Sequence, residues 1–95
     1  VGLKYFERSM ARDTYRRVTV ATRQDLELSR IPDIIRKSGV KVIACELDKN
    51  VLTGVLTARV DVRVFHHGTT EIFAERILEA LRTEGIEVDH FAWHH

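Results

Sequence analysis

The sequence predicts an α+β domain: a four-stranded antiparallel sheet with two helices on one face. Three observations predict it. Residues 57–66 alternate, with Ala58, Val60, Val62 and Val64 on one side and Arg59, Asp61, Arg63 and Phe65 on the other, the period of a half-buried strand. Phe73, Ile77, Ala80 and Leu81 recur at helical spacing, so an amphipathic helix follows that strand. The remaining segments complete the order βαββαβ, which fits a ferredoxin-like sandwich.

Taken in order, residues 1–13 place Leu3, Phe6 and Met10 on one helical face, and Lys4, Arg8 and Arg12 on another. Up to Arg17 the chain holds five basic residues against Glu7 and Asp13. Residues 1–14 are expected to form a linker, either a frayed helix or a basic segment leaving a membrane on its inner side, and residues 15–95 the domain. Residues 15–23 read as the first strand, with Arg16, Val18, Val20 and Thr22 on one face and Tyr15, Arg17, Thr19, Ala21 and Arg23 on the other. Leu28, Ile31, Ile34 and Ile35 mark a helix within residues 24–38. Ser29 serves as its N-cap, which places Pro32 in the tolerant first turn, and Gly39 ends it.

Residues 40–48 are a second strand, more continuously apolar and therefore expected at the centre of the packing. Asp48, Lys49 and Asn50 make a turn, and Gly54 is expected to mark a bulge. Thr70 is the N-cap of the second helix and Gly85 its stop. The last strand, residues 86–95, places Ile86, Val88, His90, Ala92 and His94 inside and Glu87, Asp89, Phe91 and Trp93 outside.

Composition narrows the function. The chain has 95 residues, enough for one domain with one core, at 44% hydrophobic and 31% charged. A net charge of +1 does not favour nucleic acid, and the central strands carry polar residues where RNA-binding sheets of this topology carry aromatics. The one cysteine, Cys45, is expected to be buried. No apolar run approaches the ~20 residues that span a bilayer. No nucleophile motif or phosphate-cradling loop is present, and Asp61, Glu87 and Asp89 read as partners of Arg17, Arg59 and Arg63. An enzyme is not expected, nor a cofactor. His66, His90 and His94 share the inner parity and are the candidate metal ligands, without the spacing of a known ligand motif.

Tyr15, Phe65, His67, Phe91 and Trp93 are expected to gather at one end of the outer face as an interaction patch. That end also receives residues 1–13, so a membrane or a preceding domain would lie beside it.

The βαββαβ order, with a helix closing on Lys37-Ser38-Gly39-Val40 before an apolar strand, resembles an ACT domain over residues 15–93. The resemblance implies amino-acid binding or regulatory dimer contacts, with a ligand loop at residues 23–28, although the glycine often found there is missing. Over the whole chain, the basic segment GLKYFERSMARD followed by YRRVTVATR and the later elements resembles the cytoplasmic C-terminal domain of MgtC/SapB-family membrane proteins. That resemblance implies a regulatory or interaction domain on the cytoplasmic side of a bacterial inner membrane. It also implies links to virulence, survival in macrophages and growth at low magnesium. The expected partners are the protein's own transmembrane domain, another membrane protein, or a second copy. An amino-acid sensor is the alternative, and a histidine-based metal sensor a further one. The chain begins at Val1 rather than Met, so it is expected to be part of a longer protein.

Overall fold

The structure is a computed structural model that describes residues 12–66 and 68–95. β1 (Arg12–Thr22), α1 (Arg30–Lys37), β2 (Lys41–Lys49), β3 (Leu56–His66), α2 (Glu71–Thr83) and β4 (His90–His94) follow one another as βαββαβ. The sheet is antiparallel in the order β2-β3-β1-β4, the ferredoxin-like arrangement. β1 begins at Arg12, earlier than the expected strand, and the rest of the predicted linker lies outside the described residues.

β3 behaves as its alternation dictates. Leu56, Ala58, Val60, Val62 and Val64 are buried, and the intervening residues are not. Val18 and Val20 of β1 lie opposite Val60 and Ala58 and are fully buried. Ile31, Ile34 and Ile35 of α1, and Ile77 and Leu81 of α2, close over these valines. The helices cover one face only, and the other face carries the charged rows.

The glycine stops follow from sequence, with Gly39 and Gly85 at positive φ, and the two N-cap residues stand where expected but do not cap. Ser29 and Thr70 occupy the N-cap positions without side-chain capping bonds. Thr70 is buried and accepts a hydrogen bond from Arg16 Nε at 3.2 Å, while Thr69 Oγ1 accepts from the Glu71 N–H. At the end of α2, Gly85 N–H donates to the Arg82 carbonyl and Ile86 N–H to the Leu81 carbonyl, a paired C-terminal closure that needs a left-handed residue at Gly85. Its φ is +82°, and Ile86 is buried behind it. Gly85→Ala is therefore expected to lower stability by about 1–2 kcal/mol, the cost of a β-carbon in that conformation. Among the described residues nothing lies within 4 Å of the new methyl group, so chemical denaturation should report backbone strain without a packing loss.

Three expectations are corrected. β2 is an edge strand rather than the centre of the packing. Cys45 accordingly is exposed, although it lies opposite the buried Val60. α1 has eight residues, about 12 Å of helix, too little to cover a strand of about 30 Å. The bulge lies between Val42 and Ala44, where Ile43 is the extra residue, and not at Gly54. Gly54 instead closes the hairpin loop with φ +75°, donating to the Asn50 carbonyl. Asn50 Oδ1 accepts from the backbone N–H of Leu52 and Thr53 and orders the loop tip.

The last strand is corrected as well. β4 starts at His90, after a bend at Asp89. The bend shifts the alternation by one residue. Phe91 and Trp93 lie opposite the buried Val20 and Val18 and pack against the core, while His90, Ala92 and His94 share the outer face with Ala21, Thr19 and Arg17.

Candidate functional site

The outer face is organised by β1 at its centre. Each outward residue of β1 meets one from β3 on one side, and one from β4 where that strand extends. Asp61, Arg17 and His94 form one row, Arg59, Thr19 and Ala92 the next, and Thr57, Ala21 and His90 the third. Arg17 holds Asp61 through two bonds, Nε to Oδ1 at 2.8 Å and Nη2 to Oδ2 at 3.4 Å. Arg59 reaches Glu46 of β2 at 3.4 Å, and Arg63 reaches Asp13 at 3.9 Å. The expected pairing of Asp61 with an outer-face arginine is thus formed. Asp89 pairs with Arg23 instead, at 3.9 Å.

The hydrogen bond from Arg17 lowers the Asp61 pKa; desolvation opposes it, and the positive charge of Arg17 adds to the lowering. The sign of the consequence is fixed. A depressed folded pKa means that the unfolded chain takes up the Asp61 proton first as pH falls. The contribution of the pair is complete above the ordinary carboxylate range near pH 4 and is lost as pH drops through the folded value. Asp61→Asn is expected to flatten the acid limb of the stability profile below about pH 4, read by denaturant unfolding across pH 2–7, and to leave its shape above pH 5 unchanged. Glu71 is lowered too, first by the Thr69 hydroxyl and also by His95, whose Nε2 stands 2.6 Å from the carboxylate.

Of the predicted patch, Tyr15 and Phe65 stand on the outer face at one end, 60% and 69% exposed. Tyr15 lies opposite Arg63 and Phe65 opposite Asp13, a diagonal pair on adjacent strands. Phe91 and Trp93 do not join them, because they lie under the helices. His67 lies outside the described residues. Ile43 is an addition, 49% exposed and pushed outward at the β2 bulge. It lines a shallow depression of about 370 Å³ with Tyr15, Arg16, Arg17, Asp61, His94 and His95. The unbroken apolar run Val42-Ile43-Ala44-Cys45 was the sequence signal, since an alternating strand cannot turn all four toward the helices, and Ile43, Ala44 and Cys45 are exposed.

The three candidate metal ligands separate. His66 stands edge-on to Phe73, with ring centroids 5.3 Å apart, whereas His90 and His94 are on the opposite face. Among the described residues no group of three or more histidine, cysteine or carboxylate side chains is arranged to hold a metal ion. The loop proposed for a small ligand is tied down. The Gln24 amide donates to the Gly85 carbonyl at 3.2 Å and accepts from the Glu87 N–H at 2.9 Å. Among the described residues no helix is long and apolar enough to cross a membrane.

No family model and no curated protein matches the chain. Solved structures do. The ACT domain of GTP pyrophosphokinase from Chlorobium tepidum is similar with a TM-score of 0.64 at 13% identity, over 86% of this chain and 99% of that one. Formyltetrahydrofolate deformylases are similar as well. The one from Pseudomonas putida KT2440 gives a TM-score of 0.61 at 13% identity, and the one from Burkholderia mallei ATCC 23344 gives 0.58 at 10%, each over 86% of this chain. The chain spans only 29% and 28% of those two proteins. At such identities the likeness shows the fold alone.

Proposed function

Starting from an ACT-type fold, we propose that this is a regulatory and interaction domain, the cytoplasmic portion of an MgtC-like bacterial inner-membrane protein. In this reading it works in virulence, survival in macrophages and growth at low magnesium, and it performs no catalytic step. The observation that carries the proposal is the pair Tyr15 and Phe65. Two large aromatic side chains stand mostly in solvent on the face without helices. They flank the start of β1, where the basic N-terminal segment joins the fold. Aromatic rings beside arginines are the composition of protein contact surfaces. The partner is the protein's own transmembrane domain or a neighbouring membrane protein.

The test uses the full-length protein with Tyr15→Ala and Phe65→Ala together. Loss of growth at low magnesium and of membrane-protein co-purification, with amide dispersion of the isolated domain intact, is the expected result. Full function in the double variant would overturn the proposal.

A second reading is favoured by the likeness to the GTP pyrophosphokinase ACT domain: a sensor of small molecules such as amino acids, using residues 23–28. Titration with the standard amino acids followed by amide shifts separates the two readings. Shifts confined to that loop support the sensor, and their absence with loss of function at Tyr15 and Phe65 supports the contact domain.

A further inference from the structure

On the same outer face, away from Phe65, lies a broad trough of about 620 Å³ lined by Arg17, Thr19, Arg59, His90, His94 and His95. Its walls and floor follow from strand register. Thr19 lies between Arg59 and Ala92, and Ala21 between Thr57 and His90. Small side chains at the middle of β1 and β4 leave a floor without bulk, and longer nitrogen-bearing side chains rise around it. Among the described residues no carboxylate lines the trough. Of the neighbouring carboxylates, Asp61 and Glu46 each engage one side of an arginine, and Glu71 engages His95 Nε2 at 2.6 Å. Arg17 spends Nε and Nη2 on Asp61, and Arg59 spends Nη1 on Glu46. A guanidinium has five N–H donors, so both arginines keep donors to spare. His94 Nε2 is 3.1 Å from Thr19 Oγ1.

We propose that this trough binds a small multivalent oxyanion of the phosphate type. Guanidinium groups match the paired oxygens of such an anion, and Arg17 and Arg59 line the same trough. Among the described residues no phenylalanine, tyrosine or tryptophan lines the trough. Its volume lies within the range of small-molecule sites. The phosphate group has two sources, a free anion or a lipid headgroup. The inference does not rest on the contact made by Tyr15 and Phe65, although Arg17, His94 and His95 line both depressions.

The experiment titrates the isotope-labelled chain with inorganic pyrophosphate. A parallel arm uses phosphatidylglycerol vesicles, with phosphatidylcholine vesicles as the control. Saturable shifts or broadening at Thr19, Arg59, His90 and His94 in either charged arm support the site, and the arm that responds identifies the source. Arg59→Gln and His94→Gln are each expected to weaken binding about ten-fold, the scale of one charge-assisted hydrogen bond. Amide dispersion shows that each variant remains folded. No response in both charged arms, equal response to phosphatidylcholine, or undiminished binding in both folded variants would overturn the proposal.

Discussion

Trp93→Ala is expected to lower the unfolding free energy by about 3 kcal/mol, whereas Phe65→Ala changes it by less than about 0.5 kcal/mol. The two residues looked alike in sequence, as aromatic members of one patch. Trp93 faces Val18 and packs against the core. Its loss opens a cavity beneath the helices, and its partial exposure sets the effect at the low end of the usual range for tryptophan. Among the described residues its buried Nε1 has no hydrogen-bond partner, so Trp93→Phe is expected to keep most of the stability that alanine removes. Phe65 is 69% exposed and leaves no cavity. Denaturant unfolding of the three variants decides this. A larger loss for Phe65→Ala than for Trp93→Ala would show that β4 faces the other way.

Ile77→Ala is expected to cost about 2–5 kcal/mol. Ile77 is fully buried where α2 meets the sheet, in the cluster that includes Val18, Val60 and Leu81. A domain of this size has about 5–15 kcal/mol in total, so the loss removes a large share of it. In a domain of 60–100 residues each 1 kcal/mol corresponds to about 4–8 °C, and thermal unfolding should show the shift directly. Ile72 lies on the same helix but is 43% exposed. Ile72→Ala is expected to stay within about 0.5–1 kcal/mol of the parent, which separates core packing from helix propensity.

Strand β3 was legible because one residue type alternated with another over ten positions, and burial followed it residue by residue. Both helices were legible through their apolar stripes and their glycine stops. β4 was not, because the parity count ran unbroken from Ile86. The bend at Asp89 uses one residue without advancing the alternation, and nothing in Glu87-Val88-Asp89 announces it. β2 misled for a related reason. Its apolar run resembles a strand buried on both faces, yet it lies at the sheet edge with a bulge that turns Ile43 outward. The site was therefore half legible. Tyr15 and Phe65 sit on strands whose parity was right. The trough depends on the register of β4 against β1, which only the fold supplies.

The central claim is that the outer face beside Tyr15 and Phe65 is a contact surface of a membrane-bound protein. A photo-crosslinking amino acid placed at position 65 of the full-length protein in its membrane tests this most directly, with position 72 on the opposite layer as the control. The predicted result is a crosslink from position 65 to the protein's own transmembrane domain or to another membrane protein, and none from position 72. Crosslinks from position 72 alone, or from neither position, would contradict the claim.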